Sequence, residues 1–203
     1  MRKSLIGIGV AGVAAVALVT GCSSSNDMGG MQHNSTAAST PASGQQAADH
    51  NDHDVQFAQE MIAHHQQALD MAKMMPGKST NPKVTDLAKR IEGAQDPEIK
   101  TMTAWLSKWG AAPTGSSMPG MDHGSMGNGN GMMTAEEMAK LGQATGAEFD
   151  KMWMEMMIKH HEGAITMAKT HIEKGSNADS KKLAQDIITA QQAEITEMQG
   201  LLK

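Results

Sequence analysis

Tyrosine is missing from this 203-residue chain, phenylalanine occurs twice and tryptophan three times. Leucine, isoleucine and valine are also sparse, so a core built on aromatic and branched aliphatic volume is excluded. Cysteine occurs once, at Cys22, which leaves no intramolecular disulfide and no thiolate nucleophile or ligand after that point. Neither charge sign dominates: 17 Lys and Arg stand against 22 Asp and Glu, a net charge of −5. These charges are spread along the chain, so the basic footprint of a nucleic-acid binder is absent. No segment alternates as a strand would, and no Gly-rich phosphate loop or serine- or cysteine-based catalytic constellation appears. What the chain has in excess is methionine, 20 residues of it. Methionine must supply apolar volume, or serve chemistry, or both.

The N-terminus has its own logic. Arg2 and Lys3 precede the apolar run LIGIGVAGVAAVALV, and small residues lead to Cys22. This is the pattern of a secretory signal over residues 1–21, too short and weakly flanked for a membrane span. The ending Val19-Thr-Gly-Cys22 is similar to a bacterial lipobox, which makes Cys22 the expected lipidated first residue of a protein working outside the cytoplasm, anchored to a membrane. Residues 22–48 are Ser, Gly, Gln, Ala and Asn without apolar period, a flexible tether.

The remainder reads as helices. Asn51 or Asp52 caps a first helix that runs to about Met75, where Pro76-Gly77 stops it. Asn81-Pro82 opens a second helix to about Trp109, and Pro97 is expected to kink or restart it. Thr134 and Glu137 form a capping box for a short helix that leads to a long one, about Ala147 to Glu173. A turn at Gly175-Ser-Asn177 precedes a last helix to Leu202. A shift of 96 residues superposes the two halves: Asp54 on Asp150, Phe57 on Trp153, Met61 on Met157, His64-His65 on His160-His161, Met71 on Met167 and Glu98 on Glu194. The fold class is therefore all-α. A helical hairpin over 49–109 and its copy over 134–203, joined by a linker at 110–133, pack as a pseudo-twofold four-helix bundle.

On the first helix, Phe57, Met61, His64, His65, Ala68, Met71, Ala72 and Met75 fall within a stripe roughly 120° wide. The second copy repeats it, with His171 in the place of Met75. The paired histidines therefore point inward. In one account methionine fills the core and the histidines are hydrogen-bonded to Gln95, Glu98, Gln191 and Glu194. In the other, imidazole and thioether converge on a metal. Met61 and His64 lie roughly 4.5 Å apart along the axis and His64 and Met71 roughly 10 Å, so one ion cannot use both methionine levels without distortion.

Methionines outside the helices favour the second account. Met118, Met121, His123 and Met126 sit in the linker MPGMDHGSM among Gly, Ser, Asn and Pro, with Met132 and Met133 after them. Met28, Met31 and His33 sit likewise in the tether. Such segments are expected to have no core to fill, whereas thioethers on a mobile chain suit capture of Cu(I) or Ag(I).

The motif Asp-x-x-Phe-x-x-x-Met-Ile-x-His-His, from Asp54 to His65 and again from Asp150 to His161, resembles the domain of unknown function 305 family over about residues 49–202. The resemblance implies a ferritin-like four-helix bundle in a secreted or membrane-anchored bacterial protein, with some members binding copper in the periplasm. It implies a metal-binding role for His64, His65, His160 and His161, with Met61, Met71, Met157 and Met167 nearby, and it implies no reaction. The expected function is a lipid-anchored extracytoplasmic copper protein, Cu(I) favoured and Cu(II) through imidazole second, for buffering, tolerance or transfer. Its metal residues are these eight together with His171, and the linker residues serve capture. Two alternatives stay open. One is a di-metal carboxylate oxidoreductase using Glu98 and Glu194, although Met61 and Met157 stand where its Glu-x-x-His carboxylates belong. The other is a metal-free interaction module at the cell surface.

Overall fold

The structure, a computed structural model, describes residues 49–113 and 130–203. The expected signal segment, the tether with Cys22, and the capture residues Met118, Met121, His123 and Met126 lie outside the described residues. Among the described residues there are five helices and no strand: α1 (Asp52–Ala72), α2 (Pro82–Trp109), α3 (Ala135–Gln143), α4 (Gly146–Lys174) and α5 (Ala178–Leu201). None is long and apolar enough to cross a membrane.

Local chemistry sets most helix ends. The Asn51 side chain accepts from Asp54 N while Asp54 returns a bond to Asn51 N, a capping box at the start of α1. Asn81 caps α2 with Pro82 in its first turn, Thr134 and Glu137 form the box at α3, and Asn177 caps α5. Two details differ from expectation. α1 ends at Ala72, because Met74 N and Met75 N turn back to Met71 O and Ala72 O in tighter bonds. α2 runs unbroken through Pro97. Pro97 and Gly93, whose carbonyl loses its partner, both lie on the exposed face, where water satisfies the freed carbonyl and the helix continues.

α1 packs on α2 and α4 on α5; α1 also packs on α4, and α2 on α5. Two apolar clusters fill the interior. One joins Ala68, Met71, Leu87, Ile91, Phe149, Trp153, Met157, Ile195 and Met198, and the other joins Phe57, Met61, Met102, Leu106, Ala164, Ala168, Ala184 and Ile187. The first half of α1 thus meets the second half of α4, and the converse, so the two helices run antiparallel. Burial of the Trp153 ring, whose Nε1–H donates to Met71 O at 3.1 Å, fixes that crossing. Between the clusters each long helix carries buried polar residues: His64 and His65 on α1, Gln95 on α2, His160 and His161 on α4, Gln191 on α5. A polar belt divides the core across its middle.

The bundle is fastened at one end by Asp54. Its fully buried carboxylate accepts from Asn51 N, Ser176 N and Asn177 N and from the Ser176 and Ser180 hydroxyls, at 2.8–3.2 Å. It so ties the start of α1 to the turn between α4 and α5. Burial pushes this carboxyl up, but the donors from Asn51, Ser176, Ser180 and Asn177 outweigh burial and hold its pKa at about 2. The folded state favours the charged form, so the stabilisation is complete above about pH 4, the unfolded value, and is lost as pH falls through the folded one. Asp54→Asn should lower stability near neutral pH by roughly 1–3 kcal/mol in urea denaturation, and its deficit against the wild type should shrink as pH is lowered from about 4 toward 2.

Candidate metal centre

Adjacent residues on a helix point about 100° apart, so each histidine pair sends its two rings to different neighbours. On α1, His65 turns to α2, where its Nε2–H donates to Glu98 Oε2 at 2.7 Å. On α4, His161 turns to α5 and donates in the same way to Glu194 Oε2 at 2.7 Å. The repeat is thus reproduced bond for bond. His64 and His160 face each other across the α1–α4 crossing, with ring centroids 3.7 Å apart and planes tilted by 36°. Equivalent residues of the two halves touch there, so the pseudo-twofold axis passes between them. His160 and His161 have centroids 6.3 Å apart. All four histidines are fully buried.

The hydrogen bonding of these rings is one-sided. His64 Nε2–H donates to the backbone carbonyl of Asn130 at 2.8 Å. Nδ1 of His64, His65, His160 and His161, together with His160 Nε2, is buried without a hydrogen-bond partner among the described residues. The same holds for both amide atoms of Gln95 and for Gln191 Oε1. Buried polar atoms are nearly always satisfied, so this concentration of unpaired nitrogen and amide atoms sets the belt apart from the rest of the core. Burial drives the His64 pKa down to about 3, against the opposing Asn130 carbonyl and with help from His65 and His161. Burial also holds His160 well below the ordinary histidine value, and His64, His161 and His65 add to it. His64 and His160 are therefore neutral at physiological pH, and each keeps a nitrogen lone pair. An imidazole whose other N–H is held by a carboxylate or carbonyl is the usual state of a metal-ligating histidine.

The sequence expectations fare unevenly against this geometry. His64, His65, His160 and His161 are brought together, and the two glutamates hold imidazoles as the packing account required. The glutamines are present in the belt without such bonds. Met61, Met71 and Met157 are fully buried members of the apolar clusters, and Met167 is half-buried against one of them. His171 is removed from the belt: ten residues beyond His161 on α4, it lies roughly 15 Å along the axis. There its ring stacks on Phe57 at 4.0 Å, and its Nε2 lies 2.9 Å from the Ser180 hydroxyl that bonds Asp54. Its place in the stripe, where the first half has Met75, is a place at the bundle end, so it belongs to the Asp54 fastening. Met133, assigned to a linker without core, is 4% exposed and part of the core. Among the described residues no three His, Cys, Asp or Glu side chains converge on one ion position. Glu98 and Glu194, the first carboxylate pair of the di-metal alternative, each hold an imidazole through Oε2. Nothing in the residue pattern announces the Asn130 carbonyl, since any residue has one.

The sequence profile of Domain of unknown function (DUF305) matches residues 54–202. The chain belongs to the DUF305 family. Among solved structures, a DUF305 protein of Streptomyces coelicolor is similar with a TM-score of 0.67 at 35% identity, over 77% of this chain and 94% of that one. CopM in its Cu(II)-bound form is similar with a TM-score of 0.62 at 34% identity, over 73% of this chain and 95% of that one, and CopM is also known in Cu(I)-bound and Ag-bound forms. A shorter match, 45% identical over 53 residues, is to an uncharacterized protein of Acanthamoeba polyphaga mimivirus, of whose length it spans 35%.

The belt's electrostatics make a pH prediction. Unfolded histidine takes up a proton near pH 6.5, whereas folded His160 resists it, so the unfolded state binds more protons below that pH and the fold loses stability as pH falls. His160→Leu removes this load. The metal-free variant should be at least as stable as wild type at pH 7 and should gain on it as pH falls below about 6.5, the unfolded histidine value. His65→Leu, which leaves Glu98 without its donor, should instead lose stability at pH 7. Parallel urea titrations measure both.

Proposed function

We propose that this DUF305 chain is an extracytoplasmic, lipid-anchored copper-binding protein that takes Cu(I), with Ag(I) as its chemical equivalent, and buffers it or hands it on without catalysing a reaction. The observation that carries the reading is the set of four buried imidazoles whose Nδ1 atoms have no partner among the described residues. In three of them Nε2–H is held by Glu98, Glu194 or the Asn130 carbonyl. Neutral, pre-oriented imidazole is a metal donor that needs no deprotonation. Among the described residues no trio of hard or imidazole donors converges on one point, so the belt suits an ion content with few ligands and with soft thioether help. That is the chemistry of d10 Cu(I) and Ag(I) rather than of Zn(II) or an oxygen-seeking ion. The copper-bound and silver-bound forms of CopM support the same choice at 32% identity.

The remaining elements of the reading come from the sequence. The signal-like start and Cys22 put the bundle outside the cytoplasm on a lipid. Met118, Met121, His123 and Met126 supply soft donors for first capture, and the half-buried Met167 is the stripe methionine with surface access.

Anaerobic titration of the purified protein with Cu(I) or Ag(I), in competition with a chromophoric chelator, should give more than one equivalent bound. Replacing His64, His65, His160 and His161 together by alanine should abolish the tight class and leave any weak methionine class. X-ray absorption of the wild type should count nitrogen as well as sulfur around the metal. Unchanged affinity and stoichiometry in the fourfold variant would remove the belt from the function.

A further inference from the structure

The segment from Asn130 to Met133 crosses α1 and α4 over the histidine contact as a strap, held at the two positions that the repeat makes equivalent. Residue 67 on α1 and residue 163 on α4 stand 96 positions apart, like His64 and His160. At the first, the Gln67 side-chain amide grips the strap backbone twice: Nε2–H donates to Met133 O at 2.8 Å, and Oε1 accepts from Met133 N at 2.7 Å. At the second, there is no side chain. A Cβ on Gly163 would lie 1.7 Å from Asn130 O and 2.3 Å from Asn130 C, so strap backbone rests directly on helix backbone. Gly131 answers from the strap side: its φ of +73° is a glycine conformation, and a Cβ there would lie 2.3 Å from Lys159 O. Met133 completes the docking by entering the core.

The consequence is chemical. Docked in this way, the strap presents the Asn130 carbonyl to His64 Nε2 at 2.8 Å. A carbonyl only accepts, so Nε2 must carry the proton and Nδ1 must be the free nitrogen. His160, the repeat partner, has no strap carbonyl: the backbone group that acts on its ring is that of His64, and it makes no well-aligned hydrogen bond to either nitrogen. We propose that the strap Asn130–Met133, seated by Gln67 and Gly163, is the positioning element that fixes His64 as an Nδ1 donor and so makes the two halves of the belt unequal for an incoming ion. The inference rests on the reading of the histidines as ion donors for its consequence, and on geometry alone for the tautomer.

The test separates the two. In metal-free protein labelled with 15N in histidine, long-range proton–nitrogen correlation should show His64 as a single Nε2–H tautomer. Gly163→Ala, which removes room for the Asn130 carbonyl, and Gln67→Ala, which removes the grip while leaving that room, should both move His64 toward a mixture of tautomers. Both should also speed amide exchange of Met133, while Gln66→Ala on the exposed neighbour changes neither signal. In the same variants Ag(I) affinity should fall by roughly 10- to 100-fold, the scale for lost outer partners of a ligating histidine. Gln67→Glu, which keeps the acceptor for Met133 N, should recover part of both losses. If Gln67→Ala frees Met133 in exchange yet leaves the His64 tautomer single, the positioning role is overturned. If the wild type binds no Ag(I) while the tautomer still shifts in the variants, the strap inference holds and the copper reading fails.

Discussion

Everything in this bundle is arranged around one contact, the meeting of His64 and His160 where α1 crosses α4. Apolar packing alone would have no reason to bring two imidazoles to a ring distance of 3.7 Å and bury them fully. The cost of desolvating their unmade hydrogen bonds is carried by the apolar clusters on either side. Trp153, Phe149 and eight methionines of those clusters are nearly or fully buried. The hairpins supply the frame, the clusters hold the frame closed, and the closed frame keeps the belt residues buried. A protein selected for stability alone would have filled the belt with leucine.

The repeat made much of this legible in advance. A copy of the Asp54–His65 motif at a fixed offset of 96 residues predicts two hairpins of one design, and an inward stripe on each puts the paired histidines at a common level. The helix starts were legible for a local reason: Asn51, Asn81, Thr134 and Asn177 are capping residues whose chemistry acts within a few positions. Pro97 did not restart the helix, because it sits on the exposed face of α2, where the bond it removes leaves a carbonyl toward solvent. His171 misled for a related reason. Membership in a stripe fixes direction around the helix and leaves height along it free, and height separates this ring from the belt.

Methionine divides between the roles that composition left open. Met61, Met71 and Met157 behave as core, filling volume that a chain without tyrosine and with two phenylalanines cannot otherwise fill. Met133 shows that the end of a Gly- and Asn-rich segment can be core too, since docking depended on a long-range partner, Gln67, sixty-six residues away. The Gly163 signal was available in the sequence as a glycine inside a strong helix pattern, and as one of the positions, opposite Gln67, where the two copies differ. Its meaning needed the strap, which no periodicity announces.

That mismatch says something about why the two hairpins share one chain. In a symmetric dimer of identical hairpins, the positions flanking the axis would carry the same side chain: two glutamines would collide with the strap's backbone on one side, or two glycines would leave it ungripped on the other. Covalent duplication removes that constraint, because each position can then change alone. Fusion thus permits a centre of near-perfect symmetry to be approached by a single, one-handed segment of chain.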